Sequence, residues 1–277
     1  MNSNVGIIIP FYYLSDNFED DIRTLQTTID STTYYARKIV VVDDGTELSS
    51  ISNANLIKHQ QNRGKGSSIR TGIESLLEDP EIDFIIEIDA DNDQDPKEAY
   101  KFIEAFKDSQ FNPNYVVIGD RYSAPEMRNP GKYREAINNL QSMLFSKFGF
   151  HIRDSVSGFR GYSRYFANII LQQSQSKGFG IATEQIILAY LNDTALEEIP
   201  LGYAKPRKHF TQSYKLAEVL EGIILHDTEL QQRGFQELVE SLKGIKIQLD
   251  KNVNHLKINL NGKTFEFTYN EGLYTTP

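Results

Sequence analysis

The sequence predicts an α/β fold in which helices cover both faces of a mostly parallel sheet. Short apolar runs rich in β-branched residues recur along the chain, at residues 5–10, 38–42, 84–88 and 114–118. Because these runs are apolar at almost every position, we expect strands that are buried on both faces. A loop and a segment with helical spacing follow them, which is the pattern of a parallel sheet with crossover helices.

Segments with helical spacing lie between and after these strands. Phe18, Ile22 and Leu25 fall on one face of a predicted helix at residues 17–35. Pro96 favours the first turn of another helix, because its ring fixes a helical backbone angle and it has no N–H to leave unpaired. The other elements predicted for this part are helices at 69–77 and 133–148 and a strand at 56–59.

The last part of the chain has a different pattern, and we predict a boundary between a domain at residues 1–215 and an appendage at 216–277. Residues 216–243 have the apolar spacing of one or two amphipathic helices, whose polar side is acidic and so unlike a membrane-surface helix. Alternating segments then predict an antiparallel sheet, and Asn261-Gly262 favours a hairpin turn. These strands are expected at 245–249, 255–260 and 264–269. We expect the appendage to pack on the main domain or to contact a partner subunit, including another copy in an oligomer.

The composition is that of an ordinary globular protein. Of 277 residues, 39% are hydrophobic and 24% are charged, which suits one large domain or a domain with an appendage. The chain has no cysteine, which excludes disulfides and thiolate chemistry. Its formal net charge of -9 disfavours a nucleic-acid partner, because proteins that bind nucleic acids are usually basic.

The N-terminal segment does not predict a membrane anchor or a secretory signal. The apolar run at residues 5–14 is shorter than the roughly 20 residues that span a bilayer. No lysine or arginine precedes Arg23, whereas a signal peptide begins with a basic region. We therefore expect a cytoplasmic protein without a transmembrane segment, either soluble or peripheral at the membrane.

Acidic residues that follow the strand at residues 84–88 are the first candidates for function. Asp89 and Asp91 are two positions apart, so an extended chain would point both carboxylates the same way. Open α/β sheets bind ligands at the carboxyl ends of their strands. Carboxylates held there suit Mg²⁺ or Mn²⁺, which proteins usually hold with one or two carboxylates and the phosphates of a substrate. The alternative is a solvated acidic turn that caps the next helix.

Other polar motifs follow the neighbouring strands. Asp43-Asp44-Gly45-Thr46 ends the second strand, and Gly119-Asp120-Arg121-Tyr122 ends the strand at 114–118. Between them, Asn62-Arg63-Gly64-Lys65-Gly66 forms a glycine-containing loop that opens a helix. Such a loop lets backbone N–H groups and one cation approach a phosphate, although a plain turn with a solvated lysine would have the same pattern.

Taken in order, these motifs resemble those of family 2 glycosyltransferases of the GT-A fold, a Rossmann-like, mostly parallel sheet flanked by helices. Asp154-Ser155-Val156-Ser157-Gly158-Phe159-Arg160 and Ile199-Pro200-Leu201-Gly202-Tyr203 resemble motifs of the dolichyl- and polyprenyl-phosphate mannosyl- or glucosyltransferases. The resemblance covers residues 5–215 and leaves the appendage outside. It implies a metal-dependent, inverting transfer of a sugar from a UDP- or GDP-sugar donor, with polyprenyl phosphate as one candidate acceptor.

The resemblance also implies roles for individual residues. The residues that it places against the donor are Pro10, Asp43, Asp44, Lys65 and Asp89. Asp89-Ala90-Asp91 would be the D-x-D motif, in which Asp91 binds Mg²⁺ or Mn²⁺ and Asp89 contacts the ribose or the ion. Asp93 stands where the family often has glutamine and would be a third carboxylate for the ion, with Gln94 as a slipped alternative.

The acceptor side of the predicted site is cationic. Clustered cations in an acidic protein suit an anionic target such as a lipid phosphate or the donor diphosphate, although each could instead pair with a neighbouring aspartate. The candidates for binding an acceptor phosphate are Arg121, Arg160, Arg207 and Ser213. A phosphate acceptor is itself the nucleophile, whereas a hydroxyl acceptor needs a base, for which Glu184 is the first candidate and Asp154 the second. The predicted catalytic residues are Asp91, Glu184, Arg121 and Arg160. Glu184 also fits a structural role, because the helix dipole favours an acid in the first turn.

The sequence departs from the family pattern in places that leave the substrates open. Residues 11–16 replace a Tyr-Asn-Glu sequence that commonly follows Pro10, and Tyr214 separates Ser213 from Lys215 where the family has a Ser-Lys pair. One alternative is therefore a glycosyltransferase that acts on a soluble hydroxyl acceptor, such as a glycan, a protein or a small molecule. Another is a non-catalytic module that binds nucleotide sugars. A nucleotidyltransferase would carry a glycine- and arginine-rich loop after the first strand, and this chain does not.

Overall fold

The computed structural model describes residues 4–12, 17–91, 94–123, 132–202, 216–250, 255–260, 263–270 and 273–275. The strands of its main sheet are β1 (Val5–Phe11), β2 (Lys38–Asp43), β3 (Asn55–Lys58), β4 (Phe84–Glu87), β5 (Tyr115–Asp120), β6 (Arg160–Ser163) and β7 (Ala195–Pro200). Their spatial order is β3-β2-β1-β4-β6-β5-β7. β6 runs antiparallel to both of its neighbours, and the other pairs are parallel. The predicted mostly parallel sheet is confirmed.

Helices cover both faces of this sheet, as predicted. They are α1 (Phe18–Thr32), α2 (Lys65–Leu77), α3 (Ala99–Asp108), α4 (Lys132–Ser146), α5 (Arg164–Gln173) and α6 (Ile181–Leu191). Ile7 and Ile9 of β1 pack in a core with residues of α1 and α3, whereas Ile8 packs in a second core with residues of α2, α4, α5 and α6. Successive side chains of a strand point to opposite faces, so an unbroken apolar run fills both cores.

Several elements differ from the prediction. Helix α2 begins at Lys65 instead of residue 69, so the lysine of the glycine-containing loop lies in the first helical turn. Strands β6 and β7 were not expected, because β6 contains Arg160 and Gly161, and β7 contains Glu197 and Glu198. Polar residues of these kinds interrupt the apolar pattern that identifies a buried strand.

The C-terminal part consists of helices α7 (Leu216–Ile224), α8 (Asp227–Gln232) and α9 (Gln236–Asp250), followed by strands β8 (His255–Leu260), β9 (Lys263–Asn270) and β10 (Leu273–Thr275). The strands form an antiparallel sheet of order β10-β9-β8, which confirms the pairing of 255–260 with the next strand. Asn261-Gly262 lies outside the described residues. The predicted strand at 245–249 is wrong, because these residues continue α9. Leu242 and Ile245 are three positions apart, which is a helical spacing, and both contact the main core. This spacing outweighs the local alternation of apolar and polar residues that predicted a strand.

The three C-terminal helices share a core with the main domain. Leu220, Ile223, Leu230, Val239 and Leu242 are buried in the same cluster as the apolar residues of α2, α5 and α6. The proposed boundary at residue 215 lies in a segment outside the described residues and remains a prediction. Within the described ranges, none of the helices combines the length and apolar composition that a bilayer span requires.

A single substitution tests whether this core makes the C-terminal helices part of one folding unit. Leu220 of α7 is fully buried, and Leu220→Ala should lower the free energy of unfolding by about 2–4 kcal/mol in one cooperative urea transition, because it leaves a cavity in the shared core. The adjacent, partly exposed Glu221 is the control, and Glu221→Ala should change stability by at most about 0.5 kcal/mol. A second transition that alone responds to Leu220→Ala would indicate an independent appendage.

Candidate active site

A cleft of about 280 Å³ opens at the edge of the sheet where β1, β2 and β4 end. This is the edge at which open α/β sheets bind ligands. Its lining residues include residues at strand ends, in the first turn of α2 and in the segment that precedes α6. The lining residues are Pro10, Phe11, Tyr12, Asp44, Asn62, Gly64, Lys65, Ser68, Asp89, Ala90, Asp91, Gly178, Phe179 and Glu218.

The acidic segment after β4 forms one side of this cleft. Asp89 and Asp91 both line it. The Lys65 ammonium lies 2.5 Å from Asp89 Oδ1, and both side chains are largely buried, with 12% and 23% of their surface exposed. Lys65 and Asp89 are 24 positions apart in sequence, so this ion pair joins the first turn of α2 to the end of β4. Asp93 lies outside the described residues.

The loop before β6 packs directly against the Asp89 side chain. A Cβ atom on Gly158 would lie 1.8 Å from Asp89 Oδ2, so only glycine leaves room for the carboxylate at this point. Beside it, Gln94 Nε2 donates a hydrogen bond of 2.8 Å to Ser157 Oγ. Gln94 therefore braces the acidic segment against this loop, and its role as an alternative to Asp93 remains a prediction.

The paired acids after β2 have different surroundings. Asp44 lines the cleft, and its carboxylate accepts hydrogen bonds from the backbone N–H groups of Arg63 and Gly64 at 2.9 and 2.8 Å. Asp44 thereby holds the glycine-containing loop in place. The Asp43 carboxylate instead accepts from Thr46 N, Thr46 Oγ1 and Leu48 N, and it is not part of the cleft wall. Asp43 therefore stabilises the turn after β2, and its contact with a donor remains a prediction.

The predicted acceptor arginines lie in the interior. Arg121 is buried and donates to both carboxylate oxygens of Asp154, at 2.7 and 2.9 Å. Arg160 is fully buried and donates to the carbonyl oxygens of Ser155, Ser157 and Ala182. These contacts use the guanidinium groups to tie the loop before β6 to β5 and α6. Direct contact with an acceptor is not supported for either arginine or for Asp154, and we assign them a positioning role. Arg207 and Ser213 lie outside the described residues.

Glu184 has a structural role in this fold. It is fully buried in the first turn of α6 and is not part of the cleft wall. Its carboxylate accepts from Ser174 Oγ at 2.5 Å, from Gln175 N at 2.7 Å and from Ser176 N at 3.1 Å, and it pairs with His226 Nε2 at 3.0 Å. Burial acts to raise the pKa of Glu184, but these hydrogen bonds outweigh it and the net pKa lies below the usual value. A buried carboxylate held this way is not the general base that we expected.

Part of the cleft wall was not predicted from the sequence. Gly178 and Phe179 precede α6, and Glu218 lies in α7, far from the other motifs along the chain. Glu218 had the pattern of a solvated residue on the acidic side of an amphipathic helix. In the local sequence, the two glycines on either side of Phe179 were the only signal of this part of the cleft wall. Its position could not be predicted, because it depends on the tertiary packing of α6 and α7.

The chemistry of the cleft suits a divalent cation. Asp89 and Asp91 offer carboxylate oxygens, which Mg²⁺ and Mn²⁺ prefer. Among the described residues, no group of three or more acidic or histidine side chains forms a closed metal cage. Proteins usually hold such an ion with one or two carboxylates, and substrate phosphates complete the coordination.

The sheet order, the acidic pair and the lysine at the carboxyl edge define a GT-A glycosyltransferase. Residues 6–170 match the sequence profile described as "Glycosyl transferase family 2", and the chain belongs to this family. The resemblance drawn from the motifs is thereby confirmed, and the chain is a glycosyltransferase that uses a nucleotide sugar.

The chain is also similar to individual proteins and to solved structures. The chain is 32% identical over 173 residues to an uncharacterized protein of Methanocaldococcus jannaschii, covering 60% of this chain and 69% of that protein. It is 28% identical over 222 residues to the UDP-N-acetylglucosamine–dolichyl-phosphate N-acetylglucosaminyltransferase of Methanococcus voltae, covering 71% of this chain and 84% of that enzyme. Glucosyl-3-phosphoglycerate synthase from Mycobacterium tuberculosis, solved with Mn²⁺, UDP-glucose and phosphoglyceric acid, superposes with a TM-score of 0.54 at 14% identity, covering 99% of this chain and 89% of that one. This last likeness shows the fold alone.

The contact between Gly158 and Asp89 can be tested directly. Gly158→Ala should lower nucleotide-sugar turnover by about tenfold or more, because the added methyl group must displace the Asp89 carboxylate from Lys65. Gly202→Ala is the matched control, since its Cβ would meet Glu98 at an ordinary 3.5 Å. Equal activity of both variants would show that the position of Asp89 does not matter.

The hydrogen-bonded Glu184 predicts a pH-dependent stability. Because the folded-state pKa is lowered, its stabilisation is fully present above the usual glutamate pKa of about 4.3 and is lost as the pH falls through the lower folded value. Glu184→Gln should therefore cost about 1–3 kcal/mol in urea unfolding at pH 7, and the difference from wild type should shrink at lower pH. A cost that stays constant down to pH 3 would contradict this account.

Proposed function

We propose that this chain transfers a sugar, with inversion, from a UDP- or GDP-sugar in the cleft to the phosphate of a polyprenyl phosphate. The observation that carries the proposal is the meeting of Asp89, Asp91 and Lys65 at the carboxyl edge of the sheet. Lys65 can pair with the diphosphate of the donor, and the two carboxylates can hold a divalent cation that does the same. The donor must be held, and the charge that develops on its diphosphate must be offset.

The donor is placed by residues from three parts of the cleft. Lys65 offers an ammonium group to the diphosphate, and Asp44 holds the loop from which Lys65 begins α2. Pro10 lies at the strand end beside them. A UDP-linked donor is supported by the Methanococcus relative, which is a UDP-N-acetylglucosamine–dolichyl-phosphate N-acetylglucosaminyltransferase, and by the UDP-glucose complex of the structural neighbour.

Asp91 and Asp89 are the residues that would hold Mg²⁺ or Mn²⁺. When bound, the ion supplies positive charge that offsets the charge of the leaving diphosphate without any proton transfer. Asp89 shares its carboxylate with Lys65. We therefore expect metal binding to depend most on Asp91. Asp93 remains a proposed third ligand.

A phosphate acceptor agrees with the role that Glu184 has in the fold. A phosphate is ionised near neutral pH and attacks without a general base, whereas a hydroxyl acceptor needs one. The carboxylate expected to serve as that base is occupied by four hydrogen-bond donors in the interior. The dolichyl-phosphate transferase from Methanococcus supports the same class of acceptor. Arg207 and Ser213 remain the proposed phosphate-binding residues.

Donor turnover tests the reaction class. With Mn²⁺ or Mg²⁺, the wild type should release UDP or GDP slowly from one nucleotide sugar, and Asp91→Asn should reduce this by about a hundredfold or more. The control is Asp83→Asn, which should retain activity. Asp83 is exposed and directly precedes β4, at the end of the strand away from the cleft. Metal-independent release, or full activity of Asp91→Asn, would refute the proposed role. Tight donor binding without any release would favour the non-catalytic module.

The acceptor is tested in the same assay. A short-chain polyprenyl phosphate should stimulate nucleotide release and yield a glycosylated lipid, whereas the matching polyprenol should not. Stimulation by a soluble hydroxyl compound instead would favour the alternative glycosyltransferase, and 3-phosphoglycerate is included because the structural neighbour was solved with it.

A further inference from the structure

Helix α7 contributes a carboxylate to the cleft from outside the family match, which ends at residue 170. Glu218 lines the cleft together with Lys65, Asp89 and Phe179. Its Oε2 accepts a hydrogen bond of 3.2 Å from the backbone N–H of Phe179. This bond fixes the carboxylate beside the segment that precedes α6.

The position of Glu218 is set by close backbone packing. A Cβ atom on Gly222 would lie 2.4 Å from the carbonyl oxygen of Gly180, and one on Gly180 would lie 2.6 Å from the carbonyl oxygen of Glu218. Helix α7 therefore rests directly on the first turn of α6, with no side chain between them at these points. Leu220 and Ile223 are buried on the same helix, so Glu218 projects from a rigid element.

We propose that Glu218 accepts a hydrogen bond from a hydroxyl group of the bound nucleotide sugar and contributes to donor specificity. The inference rests on the proposed function, because it takes the cleft to be the donor site. The hydroxyl belongs either to the transferred sugar or to the ribose, and the two sources are distinguished below.

The charges in the cleft favour a hydroxyl as the partner. An ionised carboxylate only accepts hydrogen bonds. The donor diphosphate is an anion that also only accepts, so contact with Glu218 would be repulsive. Hydroxyl groups are the abundant hydrogen-bond donors of a nucleotide sugar, and a carboxylate is the usual partner of a ribose hydroxyl in nucleotide-binding folds. A site built to bind a hydroxyl discriminates strongly against ligands that lack it.

Titration calorimetry with matched variants tests the inference. Wild type, Glu218→Gln and Glu221→Gln are titrated with UDP, GDP, UDP-glucose, UDP-N-acetylglucosamine and GDP-mannose in the presence of Mn²⁺. Glu218→Gln keeps an oxygen that can accept from Phe179 N–H, so unliganded stability should not change. Glu221→Gln removes the same charge from the same helix at a position that does not line the cleft.

Glu218→Gln should bind the preferred nucleotide sugar about tenfold more weakly, while Glu221→Gln should bind like wild type. If the loss appears with the nucleotide sugar but not with the free nucleotide, the hydroxyl is on the transferred sugar. If it appears with both and 2′-deoxy-UDP or 2′-deoxy-GDP abolishes the difference between wild type and variant, the hydroxyl is on the ribose; a difference that persists with the deoxynucleotides would point to a nucleobase N–H and overturn the inference. Unchanged or tighter binding of all ligands by Glu218→Gln would overturn the inference, because the carboxylate would then face solvent or the diphosphate. Failure of the wild type to bind any of the ligands would refute the proposed function itself.

Discussion

The ion pair between Lys65 and Asp89 is the interaction on which the cleft depends. It joins the first turn of α2 to the end of β4, and both side chains are largely shielded from water. A pair in such surroundings loses much hydration, so it is favourable only when its geometry is well supported. The support is visible on each side: Gly158 lies against Asp89, and the Phe179 ring centroid lies 5.9 Å from the Lys65 ammonium. The shape of the site therefore follows from the placement of one ion pair.

Buried polar residues maintain that placement from behind. Arg160 joins the loop that contains Gly158 to α6, through the carbonyl oxygens that it contacts. Glu184 holds residues 174–176, and the adjacent Lys177 carbonyl accepts from Ser67 N at the start of α2. Breaking such buried contacts leaves charges or polar groups unpaired, which costs more than the contact itself contributes. A charged residue in a motif can therefore be needed for activity without touching a substrate.

The sequence was most informative where the chemistry is local. The apolar runs identified β1, β2, β4 and β5, and the acids that follow them identified the edge of the sheet. Asp44, Lys65, Asp89 and Asp91 line the cleft because strand ends and the start of α2 converge at this edge of the sheet. The roles of Arg121, Arg160 and Glu184 could not be read in the same way, since a buried and an exposed charge have the same local pattern. Glu218 was missed because its position depends on the packing of Gly222 against Gly180.

The charge balance of the cleft bears on how a donor can bind. Among the described residues that line it, Asp44, Asp89, Asp91 and Glu218 are acidic, and Lys65 is the cationic side chain. Lys65 is already paired with Asp89, so the wall as a whole repels a diphosphate. A divalent cation, which these acids are suited to hold, would offset this repulsion. In the proposed function, the same acids that repel the bare nucleotide would favour its entry together with a divalent cation, and hydroxyl groups would be the favourable partners for any carboxylate that the cation does not use.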